Sequence, residues 1–214
     1  MQNDWASENL QVIRTLMERS AVYRRALAPV MGLVGATGIA AGAFALSHHF
    51  DSSQVFVEYW ATVAVVCVAE AFLLIRRQAM KDSEPIWSPP TRRVAQAVTP
   101  AFLAALIAGV LFCRVRLPES GVVMLLVGVW MVLYGVAMHA AGFFMPRGVR
   151  VFGWGYALAG LAYLLYWFFN GPFWFTQWEL SLRNCNLAMG VFFGGGHAAY
   201  GLYLYVTEKR GNVV

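Results

Sequence analysis

Charge is what this sequence has least of. Of 214 residues only 13% are Asp, Glu, Lys or Arg, about half the ~25% of ordinary soluble domains. A water-soluble fold of this length must cover its exterior with polar side chains, and a chain that is 59% hydrophobic has too few of them. The same balance excludes intrinsic disorder. Three cysteines are too few for a disulfide-knotted secreted scaffold, and 20 glycines are too few for a collagen-like repeat. Enzyme signatures are also missing: there is no Walker A loop, dinucleotide fingerprint, HExxH or nucleophile elbow. The run Gly194-Gly195-Gly196 lies inside an apolar stretch, so it is no phosphate cradle; it weakens a helix there and allows a kink or a close backbone approach.

What is present is apolar length, with a mean hydropathy of +0.57. A spanning helix needs about 20 mostly apolar residues to cross ~30 Å of hydrocarbon. Six stretches qualify, near Leu27–Ser47, Val55–Ile75, Val94–Cys113, Val122–Met145, Val149–Phe169 and Cys185–Val206. None alternates polar and apolar residues as a lipid-facing barrel strand does, and helices satisfy their own backbone groups in lipid. The expected class is an all-α polytopic membrane protein, a six-helix transmembrane bundle over residues 27–206.

Basic residues set the expected orientation. Arg14, Arg19, Arg24, Arg25, Arg76, Arg77, Lys81, Arg92, Arg93, Arg147, Arg150, Lys209 and Arg210 fall on one side, leaving only Arg114, Arg116 and Arg183 on the other. The positive-inside rule makes the rich side cytoplasmic, with both termini there and residues 207–214 as a short tail. The net charge of +5 follows from this topology and calls for no nucleic-acid partner. Residues 1–26 hold no apolar core of a signal peptide. They read as an amphipathic cytoplasmic helix capped by Ser7, with Leu10, Ile13, Met17 and Ala21 on one face and Arg14, Glu18 and Arg25 on the other. Such a helix anchors at headgroup depth or docks a protein partner. The longest linkers are Arg76–Arg93, broken by Pro85, Pro89 and Pro90, and the aromatic-rich Asn170–Asn184, which reads as an outer interfacial segment. Cys67 reads as a small buried apolar residue, whereas Cys113 and Cys185 share the outer side, where a disulfide is open if their helices adjoin. His48 and His49 beside Asp51 read as solvated residues at the outer mouth.

Ionisable groups inside spans are costly and mark candidate sites. Glu70, His139 and His197 lie at similar depths in the second, fourth and sixth spans, roughly 7–14 Å from the cytoplasmic ends at 1.5 Å per residue. Gly128, Gly135 and Gly142 share a face with His139; Gly190, Gly194 and Gly201 share one with His197. Each strip suits close helix packing, as do the GxxxG pairs Gly38/Gly42 and Gly190/Gly194. A strip of this kind also suits a flat ligand such as haem b held by His139 and His197. Glu70 could pair with His197 as a structural hydrogen bond or as part of an ion path, with Tyr134 as a further hydroxyl partner. No metal site is expected.

Four segments carry a resemblance: IRTLMERS (Ile13–Ser20), AEA (Ala69–Ala71), LYG (Leu133–Gly135) and GGGHAAYGL (Gly194–Leu202). On these the chain resembles an uncharacterised family of bacterial inner-membrane proteins with six predicted spans. The resemblance implies Glu70, Tyr134 and His197 as family positions and a bacterial cytoplasmic-membrane location. It does not call for a histidine where His139 stands, which counts against bis-imidazole haem, and it supplies no activity. The first functional expectation is therefore a non-enzymatic accessory subunit or sensor-like module, contacting lipids and either a protein partner or its own copies. A small-solute or ion transporter using Glu70 and His197, and a haem-b electron carrier, are the alternatives.

Overall fold

The computed structural model describes residues 26–48, 50, 52–83, 85–114, 119–170 and 178–211, and their regular structure is helical throughout. Helix α1 spans Ala26–Ser47, α2 Ser53–Lys81, α3 Pro89–Arg114, α4 Glu119–Ala141 and α5 Arg147–Asn170. The last stretch is continuous but changes its winding: α6 (Trp178–Ala188), a π-helical segment (Met189–Gly195) and α7 (Gly196–Gly211). The expected amphipathic helix over residues 1–26 lies outside the described residues except for Ala26, as do Trp174 of the outer linker, His49 and Asp51.

Five helices are long and apolar enough to cross a membrane: α1, α2, α3, α4 and α5. The sixth expected span, 185–206, is helical but does not form one regular span, because its π-helical turns divide it into shorter pieces. Boundaries also differ from expectation, and α3 starts at Pro89, five residues before Val94. Helix α2 continues through Arg76, Arg77 and Lys81, since this basic stretch is built mainly of good helix formers. Helix α4 stops at Ala141, four residues short of Met145, where Gly142 and Pro146 end it.

The surface fits the same class. Val65, Val151 and Phe168 are each about 70% exposed (69%, 70% and 72%), in the middle or along the length of apolar helices. Large apolar side chains turned outward along five helices of spanning length suit lipid as the surrounding solvent. Helices α1 and α4 are the most enclosed, each with 44% of its apolar window buried, and α3 is the most peripheral at 6%. This chain is a helical membrane protein.

Two seams hold the bundle together. Along α4 and α5, Gly128 faces Leu164, Val132 faces Gly160, Gly135 faces Ala157, His139 faces Gly153 and Gly142 faces Arg150. Every step up one helix is matched by a step down the other, so the pair is antiparallel and alternates three- and four-residue spacings on both sides. Each contact includes a glycine, and this lets the backbones touch: a Cβ on Gly135 would lie 2.7 Å from the Gly153 carbonyl oxygen and 2.8 Å from Ala157 Cα. The second seam joins α1 to the last helical stretch. Gly32 meets Gly201, Gly35 meets Ala198, Gly38 meets Gly194 and Gly42 meets Gly190, again antiparallel. Two GxxxG pairs thus close on each other.

Candidate functional site

The polar centre of the molecule is built around His197, the second residue of α7, which is 1% exposed. Its position depends on the π-helical turns before it. At the end of these turns the Gly196 N–H is shared among the Val191, Phe192 and Phe193 carbonyls, and each carbonyl has a second lone pair that a side chain can bond. The Phe193 carbonyl accepts from His197 Nδ1 at 2.6 Å, and the Phe192 carbonyl accepts from Tyr156 Oη of α5 at 2.5 Å. Tyr134 Oη of α4 lies 2.5 Å from His197 Nε2. Tyr156 Oη is also 3.1 Å from His197 Nδ1.

These contacts have one consistent proton assignment. A tyrosine hydroxyl has one proton, and that of Tyr156 goes to the Phe192 carbonyl. A carbonyl only accepts, so His197 Nδ1 carries a proton for Phe193. Nε2 of the neutral ring then has a free lone pair, which accepts from the Tyr134 hydroxyl. The rings of Phe193 (4.6 Å between centroids), Tyr134 (5.2 Å) and Phe152 (5.3 Å) enclose the imidazole. The network therefore ties α4, α5 and α7 together through one neutral side chain.

Of the residues picked out by sequence, Tyr134 and His197 come together. Glu70 does not join them as its bonded partner. Its two carboxylate oxygens lie 2.9 and 3.1 Å from Thr37 Oγ1 of α1, so the hydroxyl donates to the carboxylate across the α1–α2 contact. A shared depth was correct grounds for looking, but the azimuth on α2 aims Glu70 at α1. Replacing Thr37 with valine leaves a partly buried carboxylate without this donor and should lower stability by about 1 to 3 kcal/mol. Glu70→Gln keeps an acceptor for Thr37 and should cost less. Both are read by unfolding in mixed micelles, and equal effects would rule out the Thr37 bond as the cause.

His139 belongs to the α4–α5 seam. It stacks edge-on against Phe143 and Trp154, at 5.4 and 5.3 Å, and its buried Nδ1 has no hydrogen-bond partner. Five residues separate it from Tyr134, which places the two about 140° apart around α4. His139 and His197 thus point to different neighbours. The haem expectation fails on fit: His197 has both nitrogens bonded within the protein, and the glycine strips beside both histidines are filled by the backbone and side chains of the opposing helices. A flat macrocycle has no slot between them. Cys185 is a buried free thiol, so it forms no bridge to Cys113, whose side chain lies outside the described residues. His48 is exposed, stacks on Phe44 and bonds the Phe44 carbonyl at 3.0 Å. Among the described residues no three His, Cys, Asp or Glu side chains are grouped to hold a metal ion.

No known family model, curated protein or solved structure matches this chain.

Sequence reading missed Tyr156 and a second buried pair. Trp60 Nε1 of α2 donates to Asn186 Oδ1 of α6 at 2.9 Å, and both residues are 2% exposed. The available signal was Asn186 itself, an uncharged polar residue just inside an apolar run. Trp60→Phe should leave the amide oxygen without its donor and cost about 1 to 3 kcal/mol. A companion Asn186→Leu in the Trp60→Phe background should recover part of that loss. Additive losses in the double variant would show that the two residues do not act as a pair.

Proposed function

We propose that this chain is an integral protein of a bacterial inner membrane that crosses it six times, with both termini in the cytoplasm. It acts as an accessory subunit or sensor-like module through helix–helix and cytoplasmic contacts, and is not an enzyme. The observation that carries this reading is the use of its polar groups at membrane depth. His197 serves Tyr134 and Phe193, and Glu70 serves Thr37, so both hold helices to one another. Transport through a Glu70–His197 pair has less support, since each has its own separate partner.

Further support for six crossings comes from the α1 seam. The segment from Asn186 to Leu204 runs beside α1 from its far end back to Leu27 and Met31, antiparallel to it. An antiparallel first and last crossing requires an even number of spans. The thirteen basic residues named above support the cytoplasmic placement of both ends. The amphipathic arm over residues 1–26 is proposed as the surface that meets a protein partner.

Native-gel mass of the full-length protein in gently solubilised membranes tests the proposal. The expected result is a species heavier than one chain that falls to single-chain mass when residues 1–26 are removed, while melting of the bundle is unchanged. A single-chain mass for the intact protein, or solute flux in proteoliposomes lost in Glu70→Gln, would overturn it.

A further inference from the structure

An open pocket sits apart from the His197 network, at the start of α3. It has a volume of about 340 Å³ and is lined by Trp87, Arg92, Ala95, Gln96, Thr99 and Pro100. Arg92, Ala95, Gln96 and Thr99 fall at helical spacings of three and four, so the pocket lies on one face of α3. That helix is the most peripheral of the bundle, and its apolar window begins at Thr91. Arg92 therefore stands at headgroup depth, and Pro100 lies about 12 Å further along the helix axis, at the level of acyl chains. A pocket on that face opens to lipid.

Its chemistry is amphipathic. Arg92 is exposed, and no carboxylate among the described residues pairs with it. The Trp87 ring is 66% exposed beside it, in the place where indoles prefer the membrane interface. Pro100 stands inside α3 and has no N–H, so the Gln96 carbonyl lacks its ordinary helical donor. Thr99 cannot replace that donor, because its hydroxyl is given to the Ala95 carbonyl at 2.7 Å. A carbonyl that lacks its helical donor is costly in hydrocarbon until another group donates to it. The remaining walls are mainly hydrocarbon.

We propose that this pocket seats an anionic phospholipid whose headgroup carries hydroxyls, phosphatidylglycerol being the simplest. Arg92 meets the phosphate, a headgroup hydroxyl donates to the Gln96 carbonyl, and the acyl chains follow α3 past Pro100. A free anion in water would have no use for the apolar walls below Arg92. This inference depends on the chain lying in a membrane and not on the accessory-subunit reading, so either can fail alone.

The test is native mass spectrometry of the full-length protein in nanodiscs of phosphatidylcholine doped with phosphatidylglycerol or phosphatidic acid. Wild type should retain one phosphatidylglycerol per chain in preference to phosphatidic acid. Arg92→Gln should weaken retention about fivefold, as expected for one interfacial arginine, while Arg93→Gln, about 100° round the helix, should leave it unchanged. Pro100→Ala restores a donor to the Gln96 carbonyl and should abolish the preference between the two lipids without loss of fold. Should Arg92→Gln not fold, Trp87→Leu at the exposed rim should give a weaker loss of the same selectivity. Equal losses in Arg92→Gln and Arg93→Gln would reduce the effect to a general basic belt and overturn the proposal. Displacement of the lipid by soluble glycerol phosphate would do the same, by showing a free-anion site.

Discussion

Replacing Gly38 with alanine will destabilise the bundle by about 3 kcal/mol, the upper part of the range for overpacking a closed interface. One methyl group has this effect because of what it meets. The new Cβ would lie 2.7 Å from Gly194 Cα and 3.0 Å from Gly194 N, and backbone atoms cannot turn aside as a side-chain tip can. The helices must separate, and separation weakens the neighbouring contacts of Gly35 with Ala198 and Gly42 with Gly190. Gly42→Ala should behave alike, with its Cβ 2.6 Å from Gly190 Cα. Gly155→Ala is the control, since nothing lies within 4 Å of a Cβ there and alanine favours the helix by up to about 1 kcal/mol. Unfolding in mixed micelles should therefore rank Gly155→Ala at or above wild type and both seam variants well below it. Combining Gly38→Ala with Gly42→Ala should cost less than the two single losses together, because the first methyl has already opened the seam. Equal stability of Gly38→Ala and Gly155→Ala would show that the close approach does not bear on folding.

Those seams also show how far sequence could reach. The spacing of Gly128, Gly135 and Gly142, and of the two GxxxG pairs, marked narrow faces directly, because helical periodicity determines which residues share a face. It could not name the opposing helix, which depends on how the spans are arranged in three dimensions. Glu70 illustrates the same boundary. Its depth followed from counting along α2, yet its partner Thr37 depended on the rotation of α2 against α1. His197 was marked as an ionisable group at membrane depth and Tyr134 as a hydroxyl near it, and the two do meet, while Tyr156 carried no local sign, since a mid-span tyrosine is common. The π-helical turns were legible only as weakness around Gly194 to Gly196. Their carbonyls are bonded by side chains, Tyr156 from α5 and His197 from the next turn, that no local propensity reports. This interruption also explains why six apolar runs yield five unbroken spanning helices.

Substituting His197 with leucine should be the most damaging change in the polar centre, at about 2 to 4 kcal/mol. Leucine roughly fills the ring's space but offers no donor or acceptor. The Tyr134 hydroxyl then has lost its acceptor, and an unsatisfied buried group costs about 1 to 3 kcal/mol, while the Phe193 carbonyl loses its side-chain donor but keeps the Gly196 N–H. Tyr134→Phe should be milder, since only Nε2 is left bare and the aromatic contact with Phe193 at 5.9 Å persists. The double variant should cost less than the sum of the singles, because after one change the Tyr134–His197 bond no longer exists to be broken. Tyr156→Phe acts on a different link: the Phe192 carbonyl keeps only the shared Gly196 N–H, and the π-helical turns lose a clamp from α5. Its expected signature is faster amide exchange over Met189 to Gly195, with a smaller change in overall stability. His197→Leu should speed exchange in the same stretch and also lower global stability, so the two variants separate a clamp on local winding from a tie across α4, α5 and α7. If His197→Leu unfolds like wild type while exchange rises only locally, the imidazole holds the π-helical turns alone and the three helices are joined by their apolar and glycine contacts.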